Sequence, residues 1–477
     1  MPIRHRRPWA ITVAAATCLG LVTACSGGGG GDSDAAVTIT LAGPNQWNNQ
    51  ADSFGEPWED LVARFEKAEP DIHVETTVLP LASYSDTLST QLAAGTAPDL
   101  VFAQTPHTPE QVTPLTDYLD KPNPYEDGNE KWLDQFDENY FGDAQRNGAG
   151  DFESVPLNLV IAGMFYNKDA FAKAGVEAPI TTFDDLITAC GKLTDAGYTP
   201  MAMDNGSLGA GWISESIYAM LLDKYVDDWD VYASDGSEGT AGSVTWKSQA
   251  RAILTGELDA EKTPEIAEAV ELTKKVYDSC ATPNWSGIAS SPTFVGADEF
   301  LAGDAAMAWG TNFATDALGD VDWDWSSFGF PTITKDTTPL STDAPAQFGA
   351  AAGGTSYMIP TSTTGAELDA AVKFLQFATS TDGGQPWLEA SGGIPSTVDA
   401  KPAPGLEDLM AGEWAEKRRF NLNGRSMASA GKNLLDGYLL GSKTLDQQLA
   451  SLEDEWTAWA QETAEKSGWT EDWATQK

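Results

Sequence analysis

Apolar and polar positions alternate along Val37-Thr38-Ile39-Thr40-Leu41, the two-residue period of a strand with one covered face. Next, Trp58, Leu61, Val62 and Phe65 recur at i, i+3, i+4 and i+7, which lays one apolar stripe along a helix that Pro70 ends. His73 to Leu79 alternates again, Leu88 and Leu92 mark a second helix, and Pro98-Asp99-Leu100-Val101-Phe102 ends in a continuous apolar run. Strand, helix, strand, helix, strand is a βαβαβ unit, and such crossovers require a parallel sheet. Farther along, Phe183, Leu186, Ile187, Cys190 and Leu193 stripe one helix, and Ile266 to Tyr277 reads as another. Val372, Leu375 and Phe377 lie within a third, and Leu445, Leu449, Leu452, Trp456 and Trp459 stripe the last. These stripes are read as faces turned to a core, so the pattern predicts an α/β fold of mostly parallel sheets flanked by helices.

One apolar run does not fit that scheme. Arg4, Arg6 and Arg7 precede Trp9 to Val22, an uncharged stretch of about fourteen residues, the length of a secretion signal and too short for a membrane-spanning helix. Small residues Thr23 and Ala24 stand directly before Cys25, a sequence that resembles the lipobox of bacterial lipoproteins. The resemblance implies that 1–24 is removed and that the Cys25 thiol is acylated at the new N-terminus; the alternative is an ordinary signal cut nearby, with Cys25 a free thiol or lost. Gly27 to Gly31 then begin a Gly-rich segment, 25–36, that reads as a flexible tether with a reach of roughly 20 Å.

Composition narrows what the tether holds. With 477 residues, 42% hydrophobic and 21% charged, the chain is globular and long enough for two cores. Its net charge of −43 repels phosphate backbones and anionic headgroups, which argues against nucleic-acid binding and otherwise fits a solvated acidic surface. Cys18 leaves with the signal, so Cys190 and Cys280 remain in an oxidising setting, where a disulfide is expected and two separate buried thiols are the alternative. His73 and His107 are too few for a Cys/His zinc cluster and leave little room for a Ser/His/Asp or Cys/His nucleophile system. In Asp320-x-Asp322-x-Asp324, Trp325 stands where a calcium loop needs its turn glycine and Pro331 where it needs the bidentate acid. No Gly-rich phosphate loop is present, so neither a metal nor a cofactor is expected.

Several segments in order carry a resemblance to a family. They are Ala93-Ala94-Gly95-Thr96-Ala97-Pro98-Asp99-Leu100-Val101, Val155-Pro156 through Gly163 to Phe171, Gly175 with Thr182 to Leu186, and Phe300 to Met307. Gly353-Gly354 ahead of Ala371 to Leu375, and Gly393-Ile394-Pro395, complete the set. Together they resemble the extracellular solute-binding proteins of family 1, the maltose-binding-protein-like receptors of sugar importers. The resemblance implies two α/β lobes with a ligand cleft between them, and crossings near Asn158 to Ala162, Ser326 to Phe330 and Gly354 to Ile359. An N-terminal lobe of 37–158 and 327–358 and a C-terminal lobe of 159–326 and 359–477 follow. It also implies a monomeric lipoprotein at the extracellular face of the membrane, capturing a carbohydrate without catalysis for the permease subunits of an ABC transporter. A secreted glycoside hydrolase, with two facing carboxylates, and a receptor for a peptide or polyol are the alternatives.

Strand order independently places a site, because open α/β sheets bind ligands beyond the carboxyl ends of their strands. The loops after Leu41 and Phe102 contain Asn45-Gln46-Trp47 and Gln104-Thr105-Pro106-His107. A sugar needs flat aromatics for its C–H face and polar side chains for its hydroxyls. The expected aromatics are Trp47, Trp212 in the glycine-rich 205–214 loop, and Phe313, which stands where the family usually has Trp. The expected polar contacts are Asn45, Gln104, His107, Asn158 and Arg425. Val160 departs from a polar residue often found at the crossing, which argues against a maltose-like ligand.

Overall fold

The computed structural model describes residues 37–45, 53–80, 83–138, 140–142, 146–147, 149–204, 206–233, 236–242, 244–289, 294–346, 354–409 and 434–475. The signal, the tether and Cys25 therefore lie outside the described residues. Nine described strands form two sheets. In the first, β1 (Val37–Pro44) lies between β2 (Ile72–Leu79) and β3 (Leu100–Phe102), parallel to both. β4 (Val155–Pro156) enters at the far edge. The second holds β5 (Ala162–Asn167), β6 (Thr199–Ala202), β7 (Ala305–Thr311) and β8 (Trp325–Phe328) in the order β6-β7-β5-β8; β6 and β7 are parallel but β5 is antiparallel to both its neighbours, so this sheet is mixed and not mostly parallel as expected. β9 (Ser356–Met358) then returns to the first sheet, antiparallel between β3 and β4.

The opening βαβαβ unit forms as its periodicity predicts. The first helix spans Glu56–Ala68 with Pro57 at its start, where a missing N–H costs nothing, and buries Trp58, Leu61 and Phe65. The second, Tyr84–Ala94, ends on Gly95 at φ 66°, a left-handed cap that glycine adopts without Cβ strain. In the second lobe, Thr182 caps the helix Phe183–Asp195 by accepting a hydrogen bond from the Asp185 amide. A disulfide joins that helix at Cys190 to the end of the helix Pro264–Cys280, with Cα atoms 5.2 Å apart.

Each sheet carries its own hydrophobic core. The membership differs from the expected lobe boundaries in two places. The helices Gly365–Ala378 and Thr381–Ala390, expected in the C-terminal lobe, bury their apolar faces against the first sheet. Phe374 meets Phe65 edge to face at 5.2 Å, and Trp387 meets Trp58 at 5.8 Å. Conversely β8, Phe330, Ile333 and Ala346 belong with the second core, so the chain returns to the first sheet after Ala346 and not at 327. A third passage follows Leu388, in the first core, and reaches Ile394, in the second; the Asp137 amide then donates to the Ser396 carbonyl and the Val398 amide to the Gln135 carbonyl, so the chain touches the first lobe again before Ala403 rejoins the second core.

Candidate ligand cleft

Three strand ends meet where the chain passes between the sheets. β4 ends at Pro156, and the next residues run through Leu157 in the first core to Leu159 in the second. The Leu157 amide donates to the Thr355 carbonyl at 2.7 Å, and the Leu159 amide to the Ile394 carbonyl at 2.8 Å. All three passages are thus tied by backbone bonds within a few residues. Because β3 and β4 run parallel and β9 opposes both, the carboxyl ends of β3 and β4 and the amino end of β9 lie on one side. On the second sheet, Thr311 at the end of β7 pairs with Ala162 at the start of β5, so the carboxyl end of β7 also reaches the crossings.

Asn312, fully buried directly after β7, holds this junction together. Its Oδ1 accepts from the Ile161 amide at 2.9 Å, and its Nδ2 donates to the carbonyls of Leu159 at 3.2 Å and Gly392 at 3.0 Å. One side chain therefore ties the first passage to the third. Asn158, also fully buried, ties the first to the segment entering β9: its Oδ1 accepts from the Thr355 amide at 2.8 Å. Gly354 makes that approach possible, since a Cβ there would stand 2.1 Å from the Asn158 carbonyl oxygen. Ser396 adds a bond from its hydroxyl to the Pro156 carbonyl at 2.9 Å.

The expected site residues distribute unevenly about this junction. Asn158 is at its centre. Asn45 lies just beyond β1, its amide donating to the Ser53 carbonyl at 2.9 Å. Gln104 is exposed after β3. His107 is turned to Glu153: its Nε2 lies 3.3 Å from Glu153 Oε2 and its Nδ1 2.7 Å from the Thr105 carbonyl. The bond to Glu153 raises the His107 pKa against the opposing effect of burial, and the same bond holds the Glu153 carboxyl below its usual range. Phe313 is buried among residues of the first core although it follows β7 of the second sheet, so it packs across the junction. Trp212 stands inside the helix Ser207–Leu222 and not in a loop, because the run after Gly206 is apolar enough to bury a helix despite its glycines; its side chain is not among those described. Trp47 and Arg425 lie outside the described residues.

Asn312, Thr355 and Glu153 escaped the sequence reading. The one signal for Asn312 was its place at the end of an apolar strand, in Trp309-Gly310-Thr311-Asn312. Described cavities of roughly 310 and 540 Å³ open elsewhere, lined in part by Trp58, Glu66 and His73 and by Lys168, Trp323 and Trp325; neither includes a crossing residue. Among the described residues no group of acids, histidines or cysteines is placed to hold a metal ion.

Comparison with known proteins agrees with this architecture. Residues 49–385 match the family model of the bacterial extracellular solute-binding proteins. A multiple sugar-binding protein of Streptococcus mutans is 22% identical over 288 residues, 60% of this chain and 61% of that protein's length. The sn-glycerol-3-phosphate-binding periplasmic protein of Escherichia coli is 25% identical over 368 residues, 74% of each chain. Among solved structures, the solute-binding protein RafE in complex with raffinose superposes with a TM-score of 0.61 at 18% identity, covering 89% of this chain and all of that one. A Listeria monocytogenes ABC substrate-binding protein in complex with cycloalternan gives 0.58 at 18% identity, covering 88% and 98%.

Proposed function

Because the chain belongs to the bacterial extracellular solute-binding protein family, we propose that it captures an oligosaccharide at the junction of its two lobes and hands it to the permease subunits of an ABC importer. The observation that carries this reading is the junction itself, where the carboxyl ends of β3, β4 and β7 meet beside crossing segments tied by Asn158 and Asn312. Passages of a few residues between two separate cores let the lobes turn toward each other without breaking either core. A ligand touching both lobes favours the closed form by as much as it binds that form more tightly. The protein's part ends at binding: it acts as a receptor and not as an enzyme, and ATP is hydrolysed by its partners.

The relatives divide over the ligand. The S. mutans protein and the structural neighbours are named for sugars, and the E. coli protein for a polyol phosphate. The acidic composition, −43 overall, favours a neutral sugar over an anion. A thermal-shift screen with raffinose, maltotriose, xylotriose, chitotriose and glycerol 3-phosphate tests this, since a ligand of the folded form raises the melting temperature by mass action. An oligosaccharide should give the largest rise, with no cleavage products by chromatography. A response to glycerol 3-phosphate alone would favour the polyol reading, and cleavage would make the protein a glycosidase.

Cys25 and the following glycines support a lipid-anchored receptor at the extracellular face, working as a monomer within reach of its permease. A single acyl chain holds only marginally, at about 0.8 kcal/mol per buried CH₂, so lasting attachment takes two or more.

A further inference from the structure

Folded proteins rarely leave buried polar atoms unpaired, and those that remain ask for an explanation. Most such atoms among the described residues are scattered, but four lie in or directly beside β3, β4 and β9 of the first sheet. Thr105 Oγ1, Asn158 Nδ2, Thr355 Oγ1 and the Tyr357 hydroxyl are each buried without a hydrogen-bond partner. Thr105 closes the turn after β3, its amide donating to the Phe102 carbonyl at 3.1 Å. Asn158 follows β4, Thr355 directly precedes β9, and Tyr357 lies within β9 with its hydroxyl against Gly43 near the end of β1, where a Cβ would stand 3.4 Å away. Thr105, Asn158 and Thr355 stand at the strand ends beside the crossings, whereas the Tyr357 ring packs inside the first core against Trp58 and Phe102.

Thr105, Asn158 and Thr355 are not poorly placed residues, because their remaining groups are engaged. The Thr355 amide donates to Asn158 Oδ1 at 2.8 Å, the Thr355 carbonyl accepts from Leu157 at 2.7 Å, and the Thr105 carbonyl lies 2.7 Å from His107 Nδ1. On the other side of the same junction Asn312 uses both ends of its amide. The contrast is in chemistry as well as in place. The free groups are one amide that only donates and two hydroxyls that donate and accept, the set a polyhydroxylated ligand completes.

We infer that Thr105 Oγ1, Asn158 Nδ2 and Thr355 Oγ1 form the first lobe's hydroxyl-recognition slot, which takes up ring hydroxyls of the bound sugar. This assignment rests on the carbohydrate reading above. All three residues are essentially buried, so the slot is reached as the crossing segments turn. A ligand lacking the matching hydroxyl leaves the slot unpaired, which makes these residues determinants of specificity as well as of affinity.

Isosteric variants separate this role from a structural one. Thr355→Val and Thr105→Val replace a hydroxyl by a methyl of the same shape, and Asn158→Asp keeps the acceptor for the Thr355 amide while removing the donor. The sugar used is whichever of raffinose, maltotriose, xylotriose or chitotriose gives the wild-type protein its largest thermal shift. With the ligand-free proteins, the two valine variants should melt at the wild-type temperature or above it, because an unpaired hydroxyl has been removed. With that sugar, each of the three variants should bind at least tenfold more weakly by calorimetry. Valine variants that melt several degrees lower would give the hydroxyls a structural partner or a firmly held water and overturn the inference. Wild-type affinity in all three would also overturn it while leaving the carbohydrate reading intact. A wild-type protein that binds none of the four sugars would overturn both.

Discussion

Replacing Asn312 by Leu removes an amide of nearly equal size from the junction and strands three backbone groups. The Ile161 N–H loses its only side-chain acceptor at 2.9 Å, and the carbonyls of Leu159 and Gly392 lose donors at 3.2 and 3.0 Å. Asn312 is fully buried, so water does not replace these bonds. A stranded buried group costs about 1–3 kcal/mol; the N–H bears most of that, and the two carbonyls, with a second lone pair each, bear less, for a total of roughly 3–5 kcal/mol. Asn312→Asp should be at least as damaging, because it keeps the acceptor for Ile161 but sets an oxygen against two carbonyl oxygens. At an unfolding entropy of about 2.1 cal/mol/K per residue, the expected loss corresponds to a melting temperature only a few degrees lower, so urea titration followed by circular dichroism is the better assay. Asn312→Leu unfolding at the wild-type midpoint would refute the view that one side chain ties the passages together.

The His107–Glu153 pair makes stability depend on pH. The folded pKa of His107 is raised, chiefly by its bond to Glu153, so its contribution is complete below the unfolded imidazole value of about 6.5 and is lost as pH rises through the higher folded value. Glu153 is lowered by the same bond, so the contribution also needs a pH above the carboxylate range; His107→Gln should flatten the decline in urea midpoint as pH rises past the unfolded imidazole value, and an unchanged slope would contradict the pairing. The Cys190–Cys280 bridge spans 90 residues, and its loss in the Cys190→Ala/Cys280→Ala protein should cost about 4–5 kcal/mol by loop closure. Intact-mass measurement that finds two free thiols in the secreted protein would remove this prediction's basis. Cys25→Ala should release the protein into the medium with sugar binding unchanged, and its retention on the membrane would count against the lipid tether.

Local order was legible wherever burial is periodic. Val37 to Phe102 yielded three strands and two helices because each apolar stripe matches a single period and Pro70 and Gly95 mark the ends. The stripe of Val372, Leu375 and Phe377 predicted a helix equally well, yet a stripe says that a face is covered and not which sheet covers it; Phe65 does. The return at 327 failed for a related reason. Trp325 to Phe328 reads as a strand, but its pairing with Met164 to Asn167 rests on a partner far back in the chain. Asn158 could be chosen from its place at an expected crossing. Asn312 could not, because an asparagine after a strand more often begins a turn, and only the folded chain brings Leu159, Ile161 and Gly392 around it.

Capture between two lobes is tested most directly by small-angle scattering of the mature protein, alone and saturated with the oligosaccharide that gives the largest thermal shift. Two cores joined by crossing segments should close on the sugar, so the radius of gyration should fall and the scattering curve should become that of a more compact particle. A sugar that binds to saturation by calorimetry while leaving the curve unchanged would contradict capture by lobe closure.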